Sequence, residues 1–308
     1  MKIIYMGTPD FAVPALKTLA DSNHEVCAVF TQPDKPRGRK MIMTPPDVKV
    51  CAQSLGIPVF QPDSLKNADS LEIIKSYSPD AIVVAAYGKI LPEAVLKAPV
   101  YGCINIHGSL LPKYRGASPI QQSVLNGDKI TGVTTMLMDA GLDTGDILLT
   151  RETEIGENET SGKLFDRLAL LGGELILQTL SMLEKGEITP KKQDESLATH
   201  TSKIDKTYCP IDFSKSAFEV HNKVRGLNPW PVAVTEISGK TVKIYSTRIC
   251  DKKGKIGEII SIKPFVVACG ENSVEIVELQ PEGKKRMKAD AFLAGHKLSI
   301  GDIIGQEV

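Results

Sequence analysis

An amide and an imidazole two positions apart, Asn105 and His107, close an apolar run, Cys-Ile-Asn-Ile-His, that reads as a buried strand. Alternate residues of a strand share a face, so the two side chains can converge on one atom. A lone histidine on an apolar strand is more often a satisfied structural group than a catalyst. Here Gly108 follows at once, permitting close backbone approach, and Ser109-Leu-Leu-Pro112 turns the chain away at what would be the carboxyl edge of a sheet, where open α/β sheets bind ligands. About 36 positions after His107 comes a second glycine-flanked loop, Asp139-Ala-Gly-Leu-Asp-Thr-Gly-Asp146, between strand-like runs over 133–138 and 147–152. Asp139 and Asp146 read as turn residues bonded to their own backbone. Asp143, at the tip between Gly141 and Gly145, completes a set of amide, imidazole and carboxylate able to orient a nucleophile, move a proton and stabilise an oxyanion.

The elements that must carry these residues follow from hydrophobic periodicity. Apolar runs over 3–6, 26–30 and 81–86 alternate with helical patterns over 11–20, 46–55 and 65–77, and a helix over 120–125 continues the series after the Asn105 strand. Such alternation predicts a parallel sheet with helices on both faces. One long amphipathic helix spans 161–185, with Leu164, Leu168, Leu171, Leu175 and Leu180 on roughly one side. The stretch 187–208 is polar and aperiodic and reads as a linker. Beyond a helix over 216–225, β-branched runs over 232–237, 242–246, 256–262, 266–268 and 274–279 with glycine turns predict a small antiparallel barrel. The expected organisation is α/β: a Rossmann-like parallel-sheet domain over 1–188, a linker over 189–207 and a barrel over 208–308.

Bulk properties narrow the class. The 308 residues, 42% apolar and 24% charged, are ordinary for a folded chain of about two domains. No apolar run nears a membrane span, and strand pattern begins within a residue of Met1, so the expectation is a cytoplasmic protein, read here as a monomer that does not touch membrane. Six scattered cysteines with no Cys-x-x-Cys pair read as reduced core residues rather than disulfides or a zinc framework. The five histidines, at 24, 107, 200, 221 and 296, have no ligand spacing, so no metal is expected. Gly7 stands without the two further glycines of a dinucleotide fingerprint, which disfavours NAD. The 37 basic residues balance 37 acidic ones, with a mild excess of positive charge after residue 204 that does not by itself predict nucleic-acid binding.

Taken together, Asn-x-His at a strand end, Ser109-Leu-Leu-Pro-Lys-Tyr-Arg-Gly116 and Gly141-Leu-Asp-Thr-Gly145 resemble the folate-dependent formyltransferase family. Gly7-Thr-Pro-Asp-Phe11, Thr31-Gln-Pro-Asp-Lys-Pro36 and Asn228-Pro-Trp-Pro231 extend the match over nearly the whole chain. The resemblance implies transfer of the formyl group of 10-formyltetrahydrofolate to the α-amine of methionine esterified to initiator tRNA, with a Rossmann-like formyltransferase domain followed by an OB-like β-barrel domain that binds tRNA. It implies Asn105, His107 and Asp143 as the catalytic set: Asn105 donates to the formyl oxygen, and His107 donates to the same oxygen or shuttles the proton. Asp143 orients the imidazole or accepts a proton through water. Such a direct attack needs neither a Ser or Cys nucleophile nor a metal. Ser109, Leu110, Leu111 and Pro112 would hold the folate, with Tyr87, Gly88 and Ile90 as the opposite wall.

Lys35, Arg37, Arg39 and Lys40 put four positive charges in six positions. On composition alone this is a solvated mobile loop; the resemblance makes it a contact to the tRNA acceptor end. Lys284, Lys285 and Arg286 form a second candidate for tRNA backbone contact, while the sole tryptophan, Trp230, reads as a core anchor of the barrel. Two other readings stand beside this one. A formyltransferase acting on a sugar-nucleotide amine or a glycinamide nucleotide would keep the same three residues but has no use for the basic loop and barrel. A non-catalytic RNA-binding module would have no use for the three residues.

Overall fold

The computed structural model describes residues 1–38 and 40–305. Its elements in chain order begin with strand β1 (Lys2–Gly7), helix α1 (Val13–Ala20), β2 (Glu25–Phe30), β3 (Lys35–Arg37), β4 (Ile42–Thr44), α2 (Asp47–Ser54), β5 (Val59–Phe60) and α3 (Ala68–Ser76). Then come β6 (Ala81–Ala85), α4 (Glu93–Leu96), β7 (Cys103–His107), β8 (Arg115–Gly116), α5 (Pro119–Leu125), β9 (Ile130–Leu137), β10 (Ile147–Glu154), α6 (Ser161–Glu184) and β11 (His200–Thr201). The last are α7 (Ala217–Gly226), β12 (Ala233–Ile237), β13 (Lys240–Cys250), β14 (Ile259–Ile262), β15 (Phe265–Ala268), β16 (Ser273–Pro281), β17 (Met287–Lys288) and α8 (Ala289–Ala294).

Two compact units emerge. The first comprises Met1–Gly116, Thr131–Thr153 and Phe165–Thr201. Its seven-stranded sheet runs β10-β9-β7-β6-β1-β2-β5. Strands β7, β6, β1, β2 and β5 are parallel, and their sequences show why. Every residue of β6, Ala-Ile-Val-Val-Ala, is buried, as expected of a strand covered on both faces. Ile4, Met6, Phe30, Ile74, Ile82, Val84 and Val95 share one core cluster, and Phe30 stacks on Phe60 with ring centroids 5.2 Å apart. Strand β9 departs from the predicted pattern by pairing antiparallel to β7. Chain order reverses between β1 and β6, which makes their carboxyl ends the switch point where such sheets open a crevice.

The second unit comprises Ala117–Ile130, Glu154–Leu164 and residues from 202 onward. Its strands follow β12-β13-β16-β15-β14, with β17 added on β16, and all of these pairs are antiparallel. Register shifts around Ser246 bulge the eleven-residue β13, which bends and twists a strand. Val220, Val224, Leu227, Ile244, Phe265, Val274, Leu279 and Phe292 fill its core. Ser216 caps α7 in a reciprocal capping box with Glu219.

The succession of segments is finer than 1–188, 189–207 and 208–308. Helix α5 does not continue the α/β series: Leu125 packs against the second unit's core and the helix lies against α7. Ser161 Oγ likewise donates to Asn228 O at 2.9 Å. Trp230 is no core anchor, since it is 52% exposed. No helix among the described residues is long and apolar enough to cross a membrane.

Candidate active site

Strand β7 ends where expected. Asn105 lies between Val84 of β6 and Met136 of β9; its side chain is partly exposed and has no hydrogen-bond partner among the described residues. His107, two residues on and 6% exposed, is held by Tyr114 O at 3.0 Å from Nε2. A carbonyl can only accept, so Nε2 carries a hydrogen and Nδ1 is the nitrogen left to change its protonation. Nδ1 lies 3.7 Å from Asp143 Oδ2, beyond direct hydrogen-bond range yet close enough for strong attraction once the ring is charged. The structure therefore brings His107 and Asp143 together, with the ring oriented through a backbone carbonyl that sequence reasoning did not foresee.

Asp143 occupies the left-handed region, φ 55°, unusual for a residue other than glycine. Its Oδ2 accepts from Gly116 N at 2.8 Å. Gly145 allows the loop to fold back, since a Cβ there would stand 1.7 Å from Leu137 O. Asp139 is the turn residue anticipated, accepting from Gly141 N at 2.9 Å and Thr144 Oγ1 at 2.7 Å.

The turn after β7 is tightly braced. Ser109 is fully buried; its hydroxyl donates to Lys113 O at 2.6 Å, while Thr134 Oγ1 donates to Ser109 O at 2.7 Å and accepts from Leu111 N. Leu111 is buried, and Leu110 ends over Gly132 of β9. Ser109 is thus spent on shaping the turn that presents Leu110 and Pro112. On the far side of the crevice Gly88 and Ile90 are exposed, whereas the Tyr87 ring is buried in the core and burial pushes its hydroxyl up to about 12. The buried hydroxyls of Tyr87 and Thr31, on the loops leaving β6 and β2, have no partner among the described residues. A heteroatom-rich ring could satisfy such groups. Thr8 Oγ1 and Gln32 Nε2 tie these loops together by donating to Tyr87 O at 2.9 and 3.1 Å.

Two of the basic residues stand on a strand rather than in an irregular loop. Lys35 and Arg37 lie on β3 of an antiparallel hairpin, facing Thr44 and Ile42 of β4. Asp34, Lys49 and Gln61 clamp its base through bonds of 2.8 to 2.9 Å; the Lys49 hydrogen bond holds the Asp34 carboxyl below its usual range. Lys35, Arg37 and Lys40 are exposed, and so are Met41, Ile42 and Met43; Arg39 lies outside the described residues. In the second unit Lys284 and Lys285 are exposed, but Arg286 is committed, paired with Glu278 and set 4.4 Å over the Tyr245 ring.

Sequence reasoning also missed Arg115, Gln193 and Glu195. Arg115, only 2% exposed, donates to Gln193 Oε1 at 3.0 and 2.8 Å and to both Glu195 oxygens at 2.9 and 2.7 Å. That bond to Glu195 holds the guanidinium above its ordinary value, with Asp143 and Asp139 adding attraction. Arg115 stands within a motif already singled out, whereas Gln193 sits in a polar stretch with no signal beyond its type. Cysteine is no rival nucleophile here: Cys103, on β7, is buried and pushed up to about 12.

Comparison with known proteins agrees with this layout. The formyl transferase family matches residues 1–180, and the formyl transferase C-terminal domain family matches 203–297. Methionyl-tRNA formyltransferase of Citrifermentans bemidjiense is 48% identical over 309 residues, covering 100% of this chain and 97% of its own. That of Clostridium novyi is 48% identical over 311 residues, covering 99% and 100%. Among solved structures, the N-formyltransferase of Helicobacter canadensis with folinic acid and dTDP-3-aminofucose aligns with TM-score 0.68 at 19% identity, over 90% of this chain and 99% of that one. HypX of Aquifex aeolicus with tetrahydrofolic acid aligns with TM-score 0.65 at 17% identity, over 98% of this chain and 50% of that one. At such identities these two likenesses establish the fold.

Proposed function

Since this chain belongs to the formyl transferase family, aligned end to end with methionyl-tRNA formyltransferases, we propose that it moves the formyl group of 10-formyltetrahydrofolate to the α-amine of methionyl initiator tRNA, supplying the formylated initiator for translation. The observation that carries the mechanism is the His107 ring, anchored at Nε2 by Tyr114 O and facing Asp143 with Nδ1.

The amine nitrogen attacks the formyl carbon, and charge gathers on the formyl oxygen. Asn105, with its amide donors unspent, stabilises that oxyanion. As the new C–N bond forms, the amine must lose a proton; as the bond to N10 breaks, N10 must gain one. His107 Nδ1 takes the first proton and returns it to N10, so one residue serves both halves of the transfer. The Asp143 carboxylate neutralises the ring while it is charged. Leu110, Leu111, Pro112 and the Gly88 and Ile90 loop flank the donor, with Ser109 bracing the turn and the Tyr87 hydroxyl a candidate partner for a ring heteroatom. Lys35, Arg37, Arg39, Lys40, Lys284 and Lys285 meet tRNA phosphates; Arg286 contributes chiefly through its intramolecular pairing. No step calls for a metal. We read the protein as a cytoplasmic monomer, in the compartment where translation starts.

The test is formylation of charged initiator tRNA, elongator methionyl-tRNA and an amino-sugar nucleotide side by side with 10-formyltetrahydrofolate. Rapid product with the initiator alone is expected. Preference for the sugar nucleotide, or tRNA binding with no formyl transfer, would overturn the reading.

A further inference from the structure

The polar stretch after α6 is a structural part of the active site. Lys191 exchanges two backbone bonds of 2.8 Å with Ile147 at the start of β10. Nine and ten residues later, His200 and Thr201 pair in parallel with Arg115 and Gly116, and Thr199 Oγ1 accepts from Tyr114 N at 2.8 Å. The segment is therefore fastened to both loops that flank His107, like a strap with an anchor on each.

Between the anchors lies Gln193. Its Nε2 donates to Asp143 O and Gly145 O, each at 2.8 Å, and its Oε1 accepts from Arg115. The orientation of this amide is unambiguous: a guanidinium can only donate and carbonyls can only accept, so every hydrogen-bonding position of Gln193 is matched. Arg115 is fixed in turn by the two-pronged pair with Glu195, the geometry that holds a guanidinium most firmly. The chain of bonds ends on the backbone of Asp143, the residue held at φ 55°.

We propose that Gln193, locked by Arg115 and Glu195, is a positioning residue that holds Asp143 in its strained conformation opposite His107. The 191–201 strap is thereby a working part of the catalytic machinery. The proposal rests on the catalytic assignment made above. It predicts a defect in turnover rather than in binding, because displacing a catalytic group by about 1 Å costs on the order of 100-fold.

Two substitutions separate positioning from mere attachment. Gln193→Ala removes both sets of bonds. Gln193→Glu keeps the shape and strengthens the bond to Arg115, but turns an oxygen toward the Asp143 and Gly145 carbonyls. Both should lower kcat about 10- to 100-fold, with KM for donor and tRNA nearly unchanged. Wild-type kcat in Gln193→Glu would overturn the proposal, and so would a loss confined to KM for tRNA. Should neither variant fold by circular dichroism, Glu195→Ala frees Arg115 at its exposed outer partner; a few-fold fall in kcat is expected, and wild-type kcat overturns the proposal. Asp143→Asn run in parallel separates the two hypotheses. If it is fully active, the catalytic assignment fails; if it is inactive while the Gln193 variants are not, only the positioning role fails.

Discussion

At the scale of single residues, the site divides its work between side chains with spare hydrogen-bonding capacity and side chains that have none. Asn105 leaves its amide donors unspent, whereas Ser109, Gln193 and Arg115 spend theirs inside the protein. Replacing Asn105 by Ala should lower turnover by about 100- to 1,000-fold. Replacing His107 by Ala should cost roughly 100- to 10,000-fold, with little change in folate affinity, because the roles proposed for both groups operate in the transition state. Steady-state kinetics beside a folate titration check both, and wild-type turnover in either folded variant removes that residue from the mechanism. Asn105, His107 and Asp143 were legible because alternation along a strand and glycines around a loop tip are local signals. The Tyr114 carbonyl and Gln193 were not, because one is a backbone group and the other is brought in from 50 residues beyond Asp143.

At the scale of elements, the basic loop is the instructive case. Pro36 and Gly38 argue for a flexible turn when read alone, yet β3 and β4 pair over three residues each, and the Asp34, Lys49 and Gln61 clamp secures the base. The paired strands carry Lys35 and Arg37 together on β3. Arg37 stands 3.9 Å from Asp47, both well exposed, a pairing of little weight that leaves Arg37 available to a phosphate. Changing Lys35 and Arg37 together to Gln should weaken tRNA binding and reduce the log-log salt slope by about 0.7 to 0.9 for each phosphate the protein no longer neutralises. Filter binding across a salt series measures this; an unchanged slope would exclude the hairpin as a phosphate-binding element. The major strands and helices were otherwise legible because they bury long periodic faces. Helix α5 was assigned to the wrong layer because a seven-residue amphipathic segment does not reveal which core it covers.

At the scale of the whole molecule, the second unit draws on distant pieces of chain. Besides Leu125, His221 accepts a hydrogen bond from Thr247 Oγ1 at Nδ1 (2.9 Å) and donates from Nε2 to Glu157 O (3.0 Å). Arg225 donates to Gly156 O and Glu159 O. A fragment starting at residue 202 would lack Ala117–Ile130 and Glu154–Leu164, leaving an apolar face uncovered and two buried donors unpaired. It is expected to be unfolded or molten by near-ultraviolet circular dichroism; a cooperative thermal transition would show that those pieces are dispensable. His221 also predicts a pH dependence. Burial pushes it below the ordinary 6.5, with the nearby Arg225 charge adding to the effect and the Glu157 and Thr247 bonds opposing it. The unfolded chain thus takes up a proton near 6.5 that the folded unit refuses. Stability should be full above that pH and fall as pH drops from 6.5 toward the lowered folded value. In urea unfolding at about pH 8 and about pH 5, His221→Gln should be the less pH-sensitive protein. Composition and periodicity predicted two domains, but no local pattern reports that a core is completed by residues nearly 100 positions upstream.

The hairpin that carries Lys35 and Arg37 also carries two thioethers, Met41 in its turn and Met43 on β4. Met41 and Met43 are 66% and 60% exposed, while Met6 and Met136 are at most 1% exposed. Thioether oxidation follows solvent access and turns a soft apolar chain into a polar sulfoxide. Dilute peroxide should therefore mark Met41 and Met43 well before Met6 and Met136, as peptide mass spectrometry would reveal, and methionine sulfoxide reductase should restore them. If this surface meets initiator tRNA, then formylation responds to the redox state of its surroundings through a reversible change on one hairpin, with β7 untouched.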